Sequence, residues 1–61
     1  MIKRDSREYS QLHTAYEEDS RYLMGQFGMF LDDNGLGFDE SGVHIVIMVV
    51  EKYLEFKLRY L

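Results

Sequence analysis

His13 and Glu17 stand four residues apart, the spacing that sets two metal ligands on one face of a helix. The only other histidine is His44, and there is no cysteine. One histidine and one carboxylate leave a zinc site half built, so a boundary histidine beside a surface acid is the better account. The run Asp32-Asp33-Asn34-Gly35-Leu36-Gly37-Phe38-Asp39-Glu40 has the composition of a calcium loop. An EF-hand needs acids at loop positions 1, 3 and 5, glycine at 6 and glutamate at 12. Setting Gly35 at position 6 puts Phe30 at 1 and Ser41 at 12, so a solvated turn with capping acids fits better. No Ser-His-Asp or Cys-His pattern offers an activated nucleophile. The expectation is a protein that is not an enzyme and takes neither metal nor cofactor.

Charge is the next guide. Between Glu8 and Glu40 stand eight acids and one base, Arg21, apart from histidine. The other bases lie towards the two ends: Lys3, Arg4 and Arg7, then Lys52, Lys57 and Arg59. A net charge of −4 argues against a general nucleic-acid binder, which needs a basic face. It leaves open an acidic surface that mimics nucleic acid and blocks a nucleic-acid-binding protein. The partner-binding candidates on that surface are Glu17, Glu18, Arg21 and Tyr22.

Elements must hold these residues in place. Sixty-one residues make one small domain, residues 1–61, whose core alone is marginal. Without cysteine, the common remedy left is association with another chain. Tyr9, Leu12, Tyr16, Leu23, Phe27, Phe30 and Leu31 recur at three- and four-residue steps, which predicts an amphipathic helix over about 5–31. Gly25 and Gly28 on its polar side are either tolerated surface glycines or mark a kink, a break or a close approach of another chain. A loop follows over 32–39, with Asn34-Gly35 as the stop. Asp39 then suits an N-cap, Glu40 the first turn, and Phe38 with Val43 a hydrophobic staple.

The stretch Gly-Val-His-Ile-Val-Ile-Met-Val-Val, residues 42–50, is rich in strand-forming residues. It is far shorter than the ~20 apolar residues of a membrane span. The rival reading makes it one strand of a hairpin with Phe56–Tyr60, turning at Glu51-Lys52. No Asn-Gly or Asp-Gly lies at that turn. On a helical wheel His44, Glu51, Lys52, Glu55 and Arg59 fall in one polar sector, with only Lys57 astray. The periodicity therefore predicts a helix over about 40–60.

The expected fold is all-α, a two-helix antiparallel hairpin. The second helix is apolar on two sides, and one hairpin mate covers only one of them. A second copy would close the other, giving a homodimeric four-helix bundle. The self-association stripe is Ile45, Val49, Tyr53, Phe56 and Tyr60. This layout resembles the small plasmid-encoded helical-hairpin regulators of RNA pairing, which implies RNA binding at the basic end as an alternative. Glu17-Glu18, Ser20, Leu23, Gly25-Gln26 and Leu54-Glu55-Phe56-Lys57-Leu58-Arg59-Tyr60 resemble, after a one-residue shift, the small enterobacterial biofilm-regulator family of helical hairpins. No apolar leader follows Met1-Ile2-Lys3-Arg4-Asp5-Ser6, and cysteine is absent, which predicts a cytoplasmic protein. The function expected is a small non-enzymatic regulator or inhibitor that binds another protein, its target unidentified, with nucleic acid and membrane not expected as partners.

Overall fold

The computed structural model describes residues 1–60. Helix α1 spans Arg7–Glu18, α2 Phe27–Asp33, strand β1 Leu36–Phe38, β2 Ile45–Ile47, and helix α3 Val50–Tyr60. The fold is mixed, three helices and an antiparallel hairpin, which overturns the all-α two-helix hairpin and with it the four-helix bundle.

α1 starts at Arg7, two residues inside the expected start. Ser6 is extended and its hydroxyl accepts the Tyr9 amide at 3.2 Å, while Glu8 sits in the positive first turn. Leu12, Ala15 and Tyr16 are its buried side. The helix stops at Asp19 and does not continue to Leu31. The Tyr16 hydroxyl donates to the Leu23 carbonyl at 2.6 Å and accepts the Gln26 amide at 3.1 Å. Gln26 Oε1 accepts the Leu23 amide at 2.8 Å. These bonds satisfy a looped backbone that a helix would otherwise satisfy. Gly25, at φ 86°, makes the reversal, so the chain breaks here as one reading of that glycine anticipated.

α2 is short and carries Phe30 and Leu31 into the centre, both fully buried. Asn34 ends it, its side-chain amide donating to the Phe30 carbonyl at 2.8 Å. Gly35, at φ 75°, then turns the chain into β1. β1 pairs with β2 in the register Leu36 to Ile47, Gly37 to Val46 and Phe38 to Ile45. Ile2 bridges the other side of β2, its amide donating to the Ile45 carbonyl at 2.7 Å and its carbonyl accepting the Ile45 amide at 2.9 Å. Arg4 N–H donates to His44 Nδ1 at 3.1 Å, so His44 holds the N-terminal segment and is half-buried.

The helix expected over 40–60 is thus a strand and a helix. Asp39 caps a hairpin loop and no helix. Its carboxylate accepts the Ser41 hydroxyl at 2.6 Å and the His44 amide at 3.3 Å, and Gly42 (φ 74°) completes the turn. Those bonds, the Ser41 hydroxyl first, hold the Asp39 carboxyl below its usual pKa. The rival reading had the strand right and its mate wrong: β2 pairs backwards with Leu36–Phe38, and Phe56–Tyr60 is helical.

All nine tyrosines and phenylalanines join one network of ring contacts, with centroids 4.7 to 6.4 Å apart. Phe27 gathers Tyr9, Tyr16 and Phe38, and Phe30, touching Tyr16, Tyr22, Phe27 and Phe56, joins that group to the rings of α3. Ile2, Leu12, Leu31, Leu36 and Ile45 fill the spaces between rings.

The Gly35 carbonyl accepts both the Met48 amide at 2.7 Å and the Val49 amide at 2.9 Å, pinning the start of α3 to the end of α2. A Cβ on Gly35 would overlap the Val49 carbonyl oxygen and lie 2.8 Å from Lys52 Cβ. Gly25 has the same left-handed backbone but open space around it. Gly35→Ala should therefore lose more than ~2 kcal/mol, against roughly 1–2 kcal/mol for Gly25→Ala. Urea unfolding of the two variants checks this. Equal losses would show that the Gly35 contact is not tight.

Candidate functional site

α1 and α3 run side by side without closing on each other. Glu8, early in α1, meets Tyr53, early in α3, through a 3.2 Å hydrogen bond from the tyrosine hydroxyl. Ala15 and Glu18, late in α1, share the far end with Tyr60. Between the helices lies a half-open groove of about 490 Å³. Its floor is Leu12, Ala15 and Phe56, all buried, with Tyr53 and Tyr60 along one wall. Arg7, Glu8, Gln11, Thr14, Glu18 and Lys57 form its polar rim.

The groove exists because of side-chain order on the two helices. Arg7, Gln11, Thr14 and Glu18 recur at three- and four-residue steps, so one polar edge of α1 runs its full length. Tyr53 and Phe56 turn the aromatic side of α3 inward, and Tyr60, more exposed, packs its ring on Phe56. Burial and the neighbouring Glu8 carboxylate raise the Tyr53 phenol pKa, so it stays a hydroxyl donor. Lys57 Nζ stands 5.3 Å from the centre of the Tyr53 ring.

A second hollow of about 440 Å³ continues the groove, lined by Ala15, Glu18, Asp19, Ser20, Arg21, Arg59 and Tyr60. Arg21 grips Asp19 through Nε at 3.0 Å and Nη2 at 2.7 Å. That grip lowers the Asp19 carboxyl to about 2. Its contribution to stability is present above the usual 3.8 and is lost as pH falls through the folded value. Arg21 is largely open to water, which screens the pair and keeps that contribution small.

The four expected partner-binding residues do not form one patch. Glu18 and Arg21 line the groove and its extension. Glu17 is on the outer surface, hydrogen-bonded to His13 Nδ1 at 2.9 Å. Tyr22 packs against Phe30 and donates its hydroxyl to Asp33, a bond that raises the Tyr22 pKa. The acids of the calcium-like run are also dispersed, with Asp32 and Asp33 ending α2 and Asp39 in the hairpin loop. Among the described residues no three His, Cys, Asp or Glu side chains converge, and no helix is long and apolar enough to cross a membrane.

The expected self-association stripe is dismembered by the strand. Ile45, Tyr53 and Phe56 are buried in the chain's own core, and only Val49 and Tyr60 stay exposed. The opposite side of α3, expected to face a hairpin mate, is the open one: Val50 is 60%, Leu54 53% and Leu58 86% exposed. Arg7, Gln11 and Lys57 are among the groove residues that the expected sites did not include. For Lys57 the signal was present, since it was the one charge that broke the polar sector of the wheel.

No protein-family model matches the chain, and no curated protein or solved structure matches it either.

Proposed function

We propose that the protein is a small non-catalytic regulator or inhibitor that acts by binding another protein, and that a segment of that protein lies in the groove between α1 and α3. The observation that carries this is the groove itself. It is lined along α1 from Arg7 to Glu18, three turns or roughly 16 Å. Its floor is apolar and aromatic and its rim polar, the pattern of a helix-in-groove site. A half-open trough of that length suits a polypeptide better than a metabolite, which needs a pocket closed around most of its surface.

Self-association is the second reading, favoured by a separate surface. Val50, Leu54 and Leu58 form an exposed i, i+4, i+8 stripe, continued by exposed Met48. A homodimer closing over this stripe would bury α3's outer face and leave the groove free.

Two experiments test these readings. Thr14→Trp places an indole in the groove from the exposed side of α1. Proteins captured from the cells that make the chain should be retained by the wild type and lost by this variant. Equal capture by both would rule the groove out as the contact. Light scattering should give the mass of two 7.3 kDa chains for the wild type and one for Leu54→Glu. A monomeric wild type over a tenfold concentration range would rule out the homodimer.

A further inference from the structure

We infer that Asn34-Gly35 is a self-modification site, a deamidation step that the native contacts hold shut and that opening of the α2–α3 joint releases. The chain's one asparagine stands directly before a glycine. In such a pair the glycine nitrogen can attack the asparagine side chain, because the second residue has no side chain to block the ring that forms. Gly35 N gives up its proton and bonds to Asn34 Cγ. The Cγ–Nδ2 bond breaks and ammonia carries the proton away, which closes a five-membered succinimide. Water then opens the ring at either carbonyl. One product is aspartate. The other is isoaspartate, whose main chain runs through the former side chain and is longer by one carbon. Nothing is oxidised or reduced, and water is the sole co-reactant.

The folded chain blocks each part of this step. Asn34 is 4% exposed. Its Nδ2 donates to the Phe30 carbonyl at 2.8 Å, and its Oδ1 accepts from Arg59 at 3.4 Å. The attacking nitrogen is engaged too, with Gly35 N–H donating to the Asp32 carbonyl at 3.2 Å. At ψ 18° the Asn34 backbone turns Gly35 N away from the Asn34 side chain. Either product then fits the joint less well. Aspartate keeps Arg59 beside it, but it takes the donor from the Phe30 carbonyl and sets a second acceptor there. Isoaspartate lengthens the main chain where there is no slack. Gly35 lies against Val49 and Lys52, and its carbonyl must meet the Met48 and Val49 amides at 2.7 and 2.9 Å. Opening is reversible and the chemistry is not. The joint therefore works as a timer, removing chains in proportion to the time they spend open.

The test follows the full chain by mass spectrometry in mildly alkaline buffer, with and without guanidinium chloride. Digestion places the exchange of NH2 for OH at Asn34, and chromatography separates aspartate from isoaspartate. The denatured chain should convert at least ~tenfold faster than the native one, whose rate is set by the fraction of time the joint is open. Gly35→Ala, compared in the denatured state so that its folding does not enter, should slow the conversion severalfold. Chains aged in denaturant and returned to buffer give a second readout. The unmodified fraction should recover the native ¹⁵N amide positions of Met48 and Val49, and the isoaspartate fraction should lack them. Equal rates in native and denatured chains would overturn the guarding contacts. A denatured chain that keeps Asn34, or Gly35→Ala converting as fast as the wild type, would overturn the site. Native Met48 and Val49 amides in the isoaspartate fraction would overturn the one-way loss.

Discussion

The structure turns on a contact with no side chain in it. Gly35 presses its backbone against Val49 and Lys52, and its carbonyl takes the first free amides ahead of α3. Two requirements coincide there. The backbone must be left-handed to leave α2, and the space where a Cβ would stand is occupied. Only glycine meets both. Because α2 and α3 are pinned at this point, the chain between them must leave and return. Twelve residues, 36–47, do so as a hairpin, and Ile2 extends its edge.

Pinning alone would not hold so short a chain. The aromatic network supplies the rest. A 61-residue domain cannot build a deep aliphatic core, but rings bury large areas with few rotatable bonds. Phe30 reaches rings on α1, on α3 and in the loop between α1 and α2, so one side chain of a seven-residue helix ties the elements together. Asn34, the buried polar residue beside it, is satisfied by the Phe30 carbonyl and the Arg59 guanidinium. The groove follows from this economy. The rings fill the centre, and what remains between α1 and α3 is wide enough to leave a trough.

Much of the local structure was legible. The start of α1 near Ser6 was read to within two residues, Asn34-Gly35 marks a stop, and a break was one of the readings of Gly25. The failure lay in the run from Val43 to Val50. Four of the five polar residues that made the helical wheel persuasive, Glu51, Lys52, Glu55 and Arg59, belong to α3, which is a helix. Their period was carried back across a segment to which only His44 contributed. Strand β2 also has a poor-looking mate, three residues with a glycine in the middle, lying upstream where the search was downstream. The inward side of α3 was not legible either. Val50, Leu54 and Leu58 are as apolar as Tyr53, Phe56 and Tyr60, and only the demand of Phe30 for ring partners chooses between them. The groove was half legible. Glu18 and Arg21 were named for their charge, while Arg7 and Lys57 needed α1 and α3 to be set side by side.

Function then rests on which side of α3 faces in, and that rests on the hairpin. The most direct measurement is a nuclear Overhauser spectrum of the chain in solution. Phe38 with Ile45, and Leu36 with Ile47, are the pairs whose Hα atoms face each other, because the amides and carbonyls of Ile45 turn to Ile2. Strong Hα–Hα cross-peaks for both pairs, with contacts from the Tyr53 ring to Glu8, are the expected result. An unbroken series of sequential amide–amide peaks from Glu40 through Val50 would mean a continuous helix. That result would contradict the hairpin, the inward turn of Tyr53 and Phe56, and the groove they line.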